Sequence, residues 1–508
     1  MTHNLRGSNP DPPERCQICV IGSGAGGAVV AAELAEAGFD VVVLEEGGYY
    51  PTSELSHDPL RMLPRLYRNA GGDSTLGRAP VMYTEGRCVG GSTVINAGVC
   101  YRTPSDVLHR WAMGLGSDEF LPENLAPLFE RVEKELHVSR VPESLYSKDS
   151  KLMLEAARAK NYHTVPVMRN IHACQGTNMC ILGCPTGAKQ STLVTYLPRA
   201  ERAGAQIFAN CRVQKIELDG AKATGVEYHV LDPLTGKRGP TRFLRADWIF
   251  VAGGGMQSPS ILFRSGIARK LKWVGKTLFL HPNTKCVAIF PDEVNAWQGS
   301  IQGFQVDEFA DQGLTFGATF LPPGILALAL PFYGREMDRI MEQYHHLSVW
   351  GVLVEDSHPG RLRFTPKGLP IASYKLTRAD VQRFKFGILK LAELFFDAGA
   401  RKVLLPIRGF EYAENPGDLR MLERYPVKPG QLSLFSVHLM GTCRMGHSSR
   451  TSVVDVNHRV HGLRNLFIAD ASVFPGPIRV NPMVTIMAMA TRAAQNFVEK
   501  QQNFLQAA

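Results

Sequence analysis

Ile18-Cys19-Val20-Ile21-Gly22-Ser23-Gly24-Ala25-Gly26-Gly27 is the stretch that decides the fold. Its four apolar residues read as a buried strand, and Gly22, Gly24 and Gly27 follow at Gly-x-Gly-x-x-Gly spacing. Ala28 to Ala37 is Ala-rich with helical spacing, and Gly38-Phe39-Asp40 ends that helix. Val41-Val42-Val43-Leu44 is then a second buried parallel strand, closed by Glu45. Strand, glycine turn, helix and strand with an acid at the second strand end form the dinucleotide-binding unit of a Rossmann-like α/β domain. Gly22 permits the tight turn, Gly24 lets backbone N–H groups approach a pyrophosphate, and Gly27 lets helix and strand pack closely. The helix N-terminus favours phosphate charge, and Glu45 is placed to accept hydrogen bonds from a ribose diol. The motif alone does not choose between NAD and FAD. Its position favours FAD, because strands read near 205–252 and 463–470 complete the sheet, so distant parts of the chain wrap the cofactor.

Around this unit the chain runs to 508 residues, too many for one simple core, so two packed domains are expected. With 44% hydrophobic and 20% charged residues it reads as a soluble globular protein. The net charge of +9 comes from scattered Lys and Arg with no basic run, which argues against a nucleic-acid partner. No stretch reads as a membrane span. The most apolar, Phe320 to Phe332, is short and broken by Pro322-Pro323. Met1 to Arg15 is polar and Pro-rich with no apolar signal segment, so the expected location is cytoplasmic.

Residues 1–15 are expected to form a flexible tail. Residues 16–275 and 431–505 read as one discontinuous cofactor domain with a cysteine-containing insertion near 170–190. Within it, 205–210, 213–218, 224–231, 248–252 and 463–470 read as strands, and 124–160 and 482–499 as helical. Residues 276–430 alternate apolar and polar residues and carry many aromatics. They predict an antiparallel sheet with covering helices, the clearest over 377–398. The fold class is therefore α/β: a Rossmann-like FAD-binding domain plus an antiparallel-sheet α+β substrate domain.

Two C-terminal motifs carry the chemistry. Ser436-Val437-His438-Leu439-Met440-Gly441-Thr442 offers a histidine, and Val480-Asn481-Pro482-Met483-Val484-Thr485-Ile486 offers an asparagine. Removing a hydride from an alcohol carbon requires the hydroxyl proton to leave as well. A neutral imidazole can accept that proton or hydrogen-bond the forming alkoxide, and an amide can orient the oxygen without changing charge.

These motifs resemble the glucose-methanol-choline (GMC) oxidoreductase family. Gly86-Arg87-Cys88-Val89-Gly90-Gly91-Ser92-Thr93-Val94-Ile95-Asn96 is similar to its first signature. Gly254-Gly255-Met256-Gln257-Ser258-Pro259-Ser260-Ile261-Leu262 with Ser265-Gly266-Ile267 is similar to its second. Gly275-Lys276-Thr277-Leu278 with His281-Pro282 looks like a further family turn. The resemblance implies FAD as cofactor and His438 as the base near the flavin N5, with Asn481 as second catalytic residue, closest to the long-chain alcohol oxidase and cholesterol oxidase-like branch. It implies that Gly90, Gly91 and Asn96 lie against the isoalloxazine and that Arg87, in the same motif, contacts the cofactor. Val213 is implied at the adenine, and Asp470 with Ala471 at the pyrophosphate or ribitol. Some branches attach the flavin through a histidine shortly before the paired glycines. Thr75 to Gly91 holds none, so FAD is expected to be non-covalent.

Cys174, Cys180 and Cys184 fall within eleven residues and close on Pro185. The spacing is similar to the segment that holds a three-iron (3Fe–4S) cluster in flavoprotein glucose dehydrogenase subunits. Similar segments in long-chain alcohol oxidase relatives license no cluster. An iron–sulfur cluster, zinc with His172, a disulfide and a reduced structural loop therefore all stay open. Cys16 and Cys19 lie in the first strand and read as core.

The expected activity is FAD-dependent oxidation of an alcohol CH–OH group. Phe316 to Phe332 and Trp350 to Val354 are apolar and favour an apolar or amphipathic alcohol. The electron acceptor is O2, a quinone or a protein. Two alternatives remain: a protein of the same fold with another reaction, such as a lyase or photodecarboxylase, and an electron-transfer subunit carrying the iron–sulfur cluster.

Overall fold

The computed structural model describes residues 11–507. Arg15–Ile21 and Val41–Leu44 pair in parallel, and Gln206–Phe208 extends the sheet beyond Val41–Leu44. On the other side of Arg15–Ile21 lies the 14-residue strand Arg238–Val251, which belongs to two kinds of sheet. Its second half runs parallel to Arg15–Ile21 and to Leu466–Ile468. Its first half runs antiparallel to Lys222–Leu231, which pairs antiparallel with Cys211–Asp219. Residues 18–21 and Val41–Leu44, the central stretches of the parallel strands, are apolar and buried without alternation. Ala25–Glu36 packs against the long helix Met483–Ala507 and against Tyr196–Arg202. Cys16 and Cys19 are both buried in this core.

The second sheet has ten strands, with Asn283–Ile289 near its middle and Leu347–Val354 and Leu314–Ala318 beside it. It is antiparallel except where Leu434–Ser436 runs parallel to Val81–Tyr83. The helix Arg378–Asp397 covers one face, and the Trp350 and Phe395 rings stack at 3.7 Å. Thr377 caps this helix in a capping box with Asp380, which explains where it starts. Two short helices, the apolar Pro323–Ala329 and the charged Arg335–Met341, cover the other face, where Leu326 and Ile340 pack on Val287 and Val349.

The sheet of 276–430 is completed from outside that segment. Val81–Tyr83, Thr164–Pro166 and Leu434–Ser436 all join it. Three-residue strands of this kind carry too little periodicity to be read as partners of a distant sheet. The helical stretch expected at 124–160 is two helices, Pro122–Glu135 and Lys148–Ala159, separated by the strand Val138–Arg140. Of the expected tail, residues 1–10 lie outside the described residues. Residues 11–15 are tied to the sheet: Asp11 pairs with Arg242, and the Arg245 N–H donates to the Glu14 carbonyl at 3.0 Å. Among the described residues no helix is long and apolar enough to cross a membrane.

Candidate active site

The glycine turn opens onto one continuous cavity that runs between the two sheets. Gly22 has φ +98°, and a Cβ there would come within 2.6 Å of the Ala252 carbonyl oxygen. Cβ atoms on Gly26 and Gly27 would overlap the carbonyl oxygens of Ala469 and Gly22. Gly24 is different. A Cβ on it would meet nothing nearer than the Gly91 Cα at 4.0 Å, so it would project into the cavity. Gly24 also caps the helix Ala25–Glu36 without any side-chain hydrogen bond, which leaves the first-turn N–H groups facing that space.

Beyond the turn the cavity is lined by acidic and basic side chains. Glu45 accepts from Ser23 N–H at 2.9 Å, Ser23 Oγ–H at 2.7 Å and Gly47 N–H at 2.8 Å. Its carboxylate thus ties the glycine turn to the strand end as well as lining the cavity. The neighbouring Glu46 is gripped by Arg68 at 2.9 Å, Arg87 at 3.4 Å and Arg212 at 3.7 Å. Burial works against its charge, but these guanidinium groups overcome it and hold the carboxyl at about 2. Arg87 therefore meets Glu46 and does not line the cavity, whereas Val213, Asp470 and Ala471 do line it. Asp470 accepts from Gly254 N–H and Ser472 N–H at 2.8 Å each, tying its own turn to the turn at Gly253 and Gly254 beside the cavity.

At the opposite end His438 and Asn481 meet. Asn481 Nδ2 lies 3.2 Å from His438 Nε2, and both side chains line the cavity. The His438 N–H donates to Ser436 Oγ at 3.1 Å, which orients the loop after strand Leu434–Ser436. Burial, assisted by the charge of Lys285, lowers the His438 pKa to about 4, so its ring is neutral near pH 7. Lys285 lines the same cavity. Gly351 stands opposite it in the sheet, and a Cβ there would run into the Lys285 amine. Lys285 has no carboxylate partner among the described residues, and burial lowers its pKa to about 8. Asn96 and Gly91 line the cavity between the two ends, but Gly90 faces Val94 and Leu193 instead. Past His438 the walls become apolar with Phe320, Leu321, Ile325 and Leu328, and Leu328 is 68% exposed at the rim.

Two family models describing the GMC oxidoreductase match residues 63–283 and 357–490, and a model of an NAD(P)-binding Rossmann-like domain matches 20–51. The chain belongs to the GMC oxidoreductase family. It is 35% identical to an uncharacterised GMC-type oxidoreductase of Mycobacterium tuberculosis, over 96% of this chain and 76% of that protein. It is 27% identical to a long-chain-alcohol oxidase of Arabidopsis thaliana, over 94% of this chain and 67% of that protein. In fold it resembles the pyridoxine 4-oxidase of Mesorbium loti, with a TM-score of 0.73, 19% identity and coverage of 95% and 99% of the two chains. The protein is thus a GMC flavoprotein oxidoreductase, and flavoproteins of this family bind FAD. The residues present fit that cofactor: uncapped helix N–H groups for the pyrophosphate, a glycine whose missing Cβ leaves room for it, and a cavity long enough to join Glu45 to Asn481.

Of the readings left open for the cysteine segment, the structure supports the reduced loop and gives no support to the iron–sulfur cluster. Among the described residues no group of three or more His, Cys, Asp or Glu side chains is placed to hold a metal. Cys180 Sγ accepts from the buried Arg169 guanidinium at 3.1 Å. Cys184 Sγ takes the Lys189 N–H at 3.4 Å and lies 3.3 Å from Thr186 Oγ1, while Cys174 packs against the apolar core. Two buried cations, Arg169 and Lys189, stand among these sulfurs, and Lys189 Nζ donates to the carbonyls of Val94, Asn96 and Cys180. The loop braces the chain around Asn96 and Ala97. Cysteine spacing alone does not reveal that lysine and arginine take the place of a metal. No local signal marks Glu46 or Lys285 as site residues, and the His281-Pro282 turn does not reveal what His281 touches. Each becomes one only through contacts with residues distant in sequence.

Proposed function

We propose that this protein oxidises the CH–OH group of an apolar or amphipathic alcohol to an aldehyde or ketone, with FAD bound non-covalently along the cavity. The observation that carries this reading is the continuity of that cavity. It leads from the open helix N-terminus at Gly24, past Asn96, to the His438–Asn481 pair, and on into apolar walls that reach the surface at Leu328. Bound FAD supplies the two-electron acceptor for the hydride that leaves the alcohol carbon.

The protein's own groups divide the remaining work. His438 and Asn481 hold the alcohol oxygen between an imidazole nitrogen and an amide. A general base works best with a pKa near the operating pH. At about 4, His438 is a weak proton acceptor, which counts against the base role expected for it. Lys285, at about 8 and without a carboxylate partner among the described residues, is the stronger acceptor lining the same cavity. In its neutral form the Nζ lone pair takes the hydroxyl proton. Phe320, Ile325 and Leu328 exclude water and favour an alkyl chain.

The FAD-loaded protein, mixed without oxygen with primary alcohols of rising chain length, tests the reading. The flavin colour is expected to bleach with medium and long chains and to persist with free sugars. Persistence of the colour with every alcohol overturns the proposal and leaves the lyase-type alternative standing.

A further inference from the structure

His281 has no place in the reaction described so far, yet it is fully buried and its ring meets His438 edge-on at 87°. Its two nitrogens have distinct partners. Nε2 accepts two backbone N–H groups, from Ile478 and Arg479, at 3.2 Å each. A nitrogen that accepts from backbone N–H carries no proton, so the neutral ring must carry its proton on Nδ1. That Nδ1 lies 3.3 Å from Nδ1 of His438. The proton therefore points at His438, whose Nδ1 must accept it. A neutral His438 with an accepting Nδ1 then carries its own proton on Nε2.

We infer that His281 is a positioning residue that locks His438 in the tautomer protonated on Nε2, making the atom beside Asn481 a hydrogen-bond donor to the substrate oxygen.

The surroundings hold this arrangement in place. Asp356 accepts the backbone N–H groups of Leu280 at 3.0 Å and His281 at 2.7 Å, and Tyr374 Oη–H donates to the same carboxylate at 2.7 Å. His281 sits at φ +44° and Arg479 at φ +61°, two side-chain-bearing residues in the left-handed region. Each such residue costs about 1 kcal/mol or more, a cost sustained only where the surrounding contacts over-determine the backbone. Both lie at the two ends of the same hydrogen bond. Burial and the adjacent ring also push the His281 pKa well down, in keeping with a neutral ring. With the Nε2–H of His438 directed at the substrate oxygen, the Asn481 Nδ2–H 3.2 Å away is not taken up by His438 and is turned to the same oxygen. The alcohol oxygen then meets two donors, an arrangement that stabilises charge developing on it as the hydroxyl proton leaves for another acceptor.

The inference rests on the reading of His438 as the group at the substrate oxygen, but its test does not use substrate. Histidine-labelled (15N) full-length protein loaded with FAD is observed by proton–nitrogen correlation, with the His438 signals assigned by their loss in His438→Gln. The expected result is a directly bonded proton on Nε2 of His438 and an unprotonated Nδ1. His281→Gln keeps an acceptor for the Ile478 and Arg479 N–H groups but removes the donor to His438, and is expected to release the proton to both His438 nitrogens. His281→Asn keeps an amide donor near the Nδ1 position and is expected to retain the wild-type pattern. A protonated Nδ1 in the wild type overturns the inference, as does a His281→Gln spectrum identical to the wild type. Failure of every alcohol to bleach the flavin would remove the proposed reaction and leave this nitrogen pattern unchanged.

Discussion

The two ends of the cavity solve opposite electrostatic problems. At the Glu46 end a buried charge is kept: three arginines surround one carboxylate and hold it at about 2. At the His438 end basic groups hold their protons less tightly: burial without carboxylate partners lowers His438 to about 4 and Lys285 to about 8. Pairing makes a fixed scaffold, suited to holding a large cofactor in one place. Isolation leaves His438 neutral and brings the titration of the Lys285 amine close to neutral pH, which is what proton transfer needs. The same burial thus serves binding at one end and chemistry at the other, and the difference lies in whether a counter-charge is supplied.

Substitutions at the two ends should therefore fail differently. His438→Ala is expected to retain FAD and to slow anaerobic flavin reduction at least ~100-fold, as loss of a group at a developing oxyanion does. Rapid-mixing absorbance reads this, and unchanged reduction would remove His438 from the reaction. Lys285→Met is expected to slow the same step about 100-fold at pH 8. In the wild type the rate should rise as pH increases through about 8, because only the neutral amine accepts a proton. The variant should lack that rise, and a wild-type rate flat across this range would exclude Lys285 as the acceptor.

At the other end the effect is on stability. Glu46→Gln removes the carboxylate that Arg68, Arg87 and Arg212 share, leaves Arg68 only Glu85, and should cost about 3 kcal/mol in urea unfolding with reduction kinetics preserved in the folded fraction. The Glu46 carboxyl is depressed from its ordinary 4.5 to about 2 on folding. Its contribution is present above pH 4.5 and is lost as pH falls through about 2, so the difference between wild type and variant should narrow in acid. Gly24→Ala meets no protein atom closer than 4.0 Å, so the fold should be undisturbed while FAD binding weakens about tenfold, some 1.4 kcal/mol. Flavin release followed by fluorescence measures that loss. The smallest effect belongs to the cysteine loop: Cys174→Ser should leave the visible spectrum and the iron content unaltered, because its sulfur packs against the apolar core.

The contrast between the two ends also explains what could be read in advance. The glycine turn is local: Gly22, Gly24 and Gly27 act within one strand–turn–helix unit, so spacing alone exposes their roles. His438 and Asn481 are 43 residues apart, yet each sits in a distinctive short motif, and the structure brings them to 3.2 Å. Lys285 and Glu46 carry no such signature, and the turn that holds His281 does not show what its ring meets. His281 matters because Ile478 and Arg479 approach it from nearly 200 residues away, and Lys285 because Gly351 clears space for its amine. Arg87 and Gly90 stand in a recognisable motif but face Glu46 and Val94, since one turn of backbone decides which neighbours line a cavity. The cysteine loop misleads for the reverse reason: its spacing is local, but Arg169 and Lys189, which occupy its centre, are placed by tertiary contacts.

The most direct test of the central claim is the deuterium isotope effect on anaerobic flavin reduction by a long-chain primary alcohol carrying deuterium at its carbinol carbon. The account predicts rapid bleaching by the protiated alcohol and a several-fold slower bleaching by the deuterated one, because the C–H bond breaks in the step that reduces the flavin. Equal rates for the two alcohols, or no bleaching by either, would contradict it.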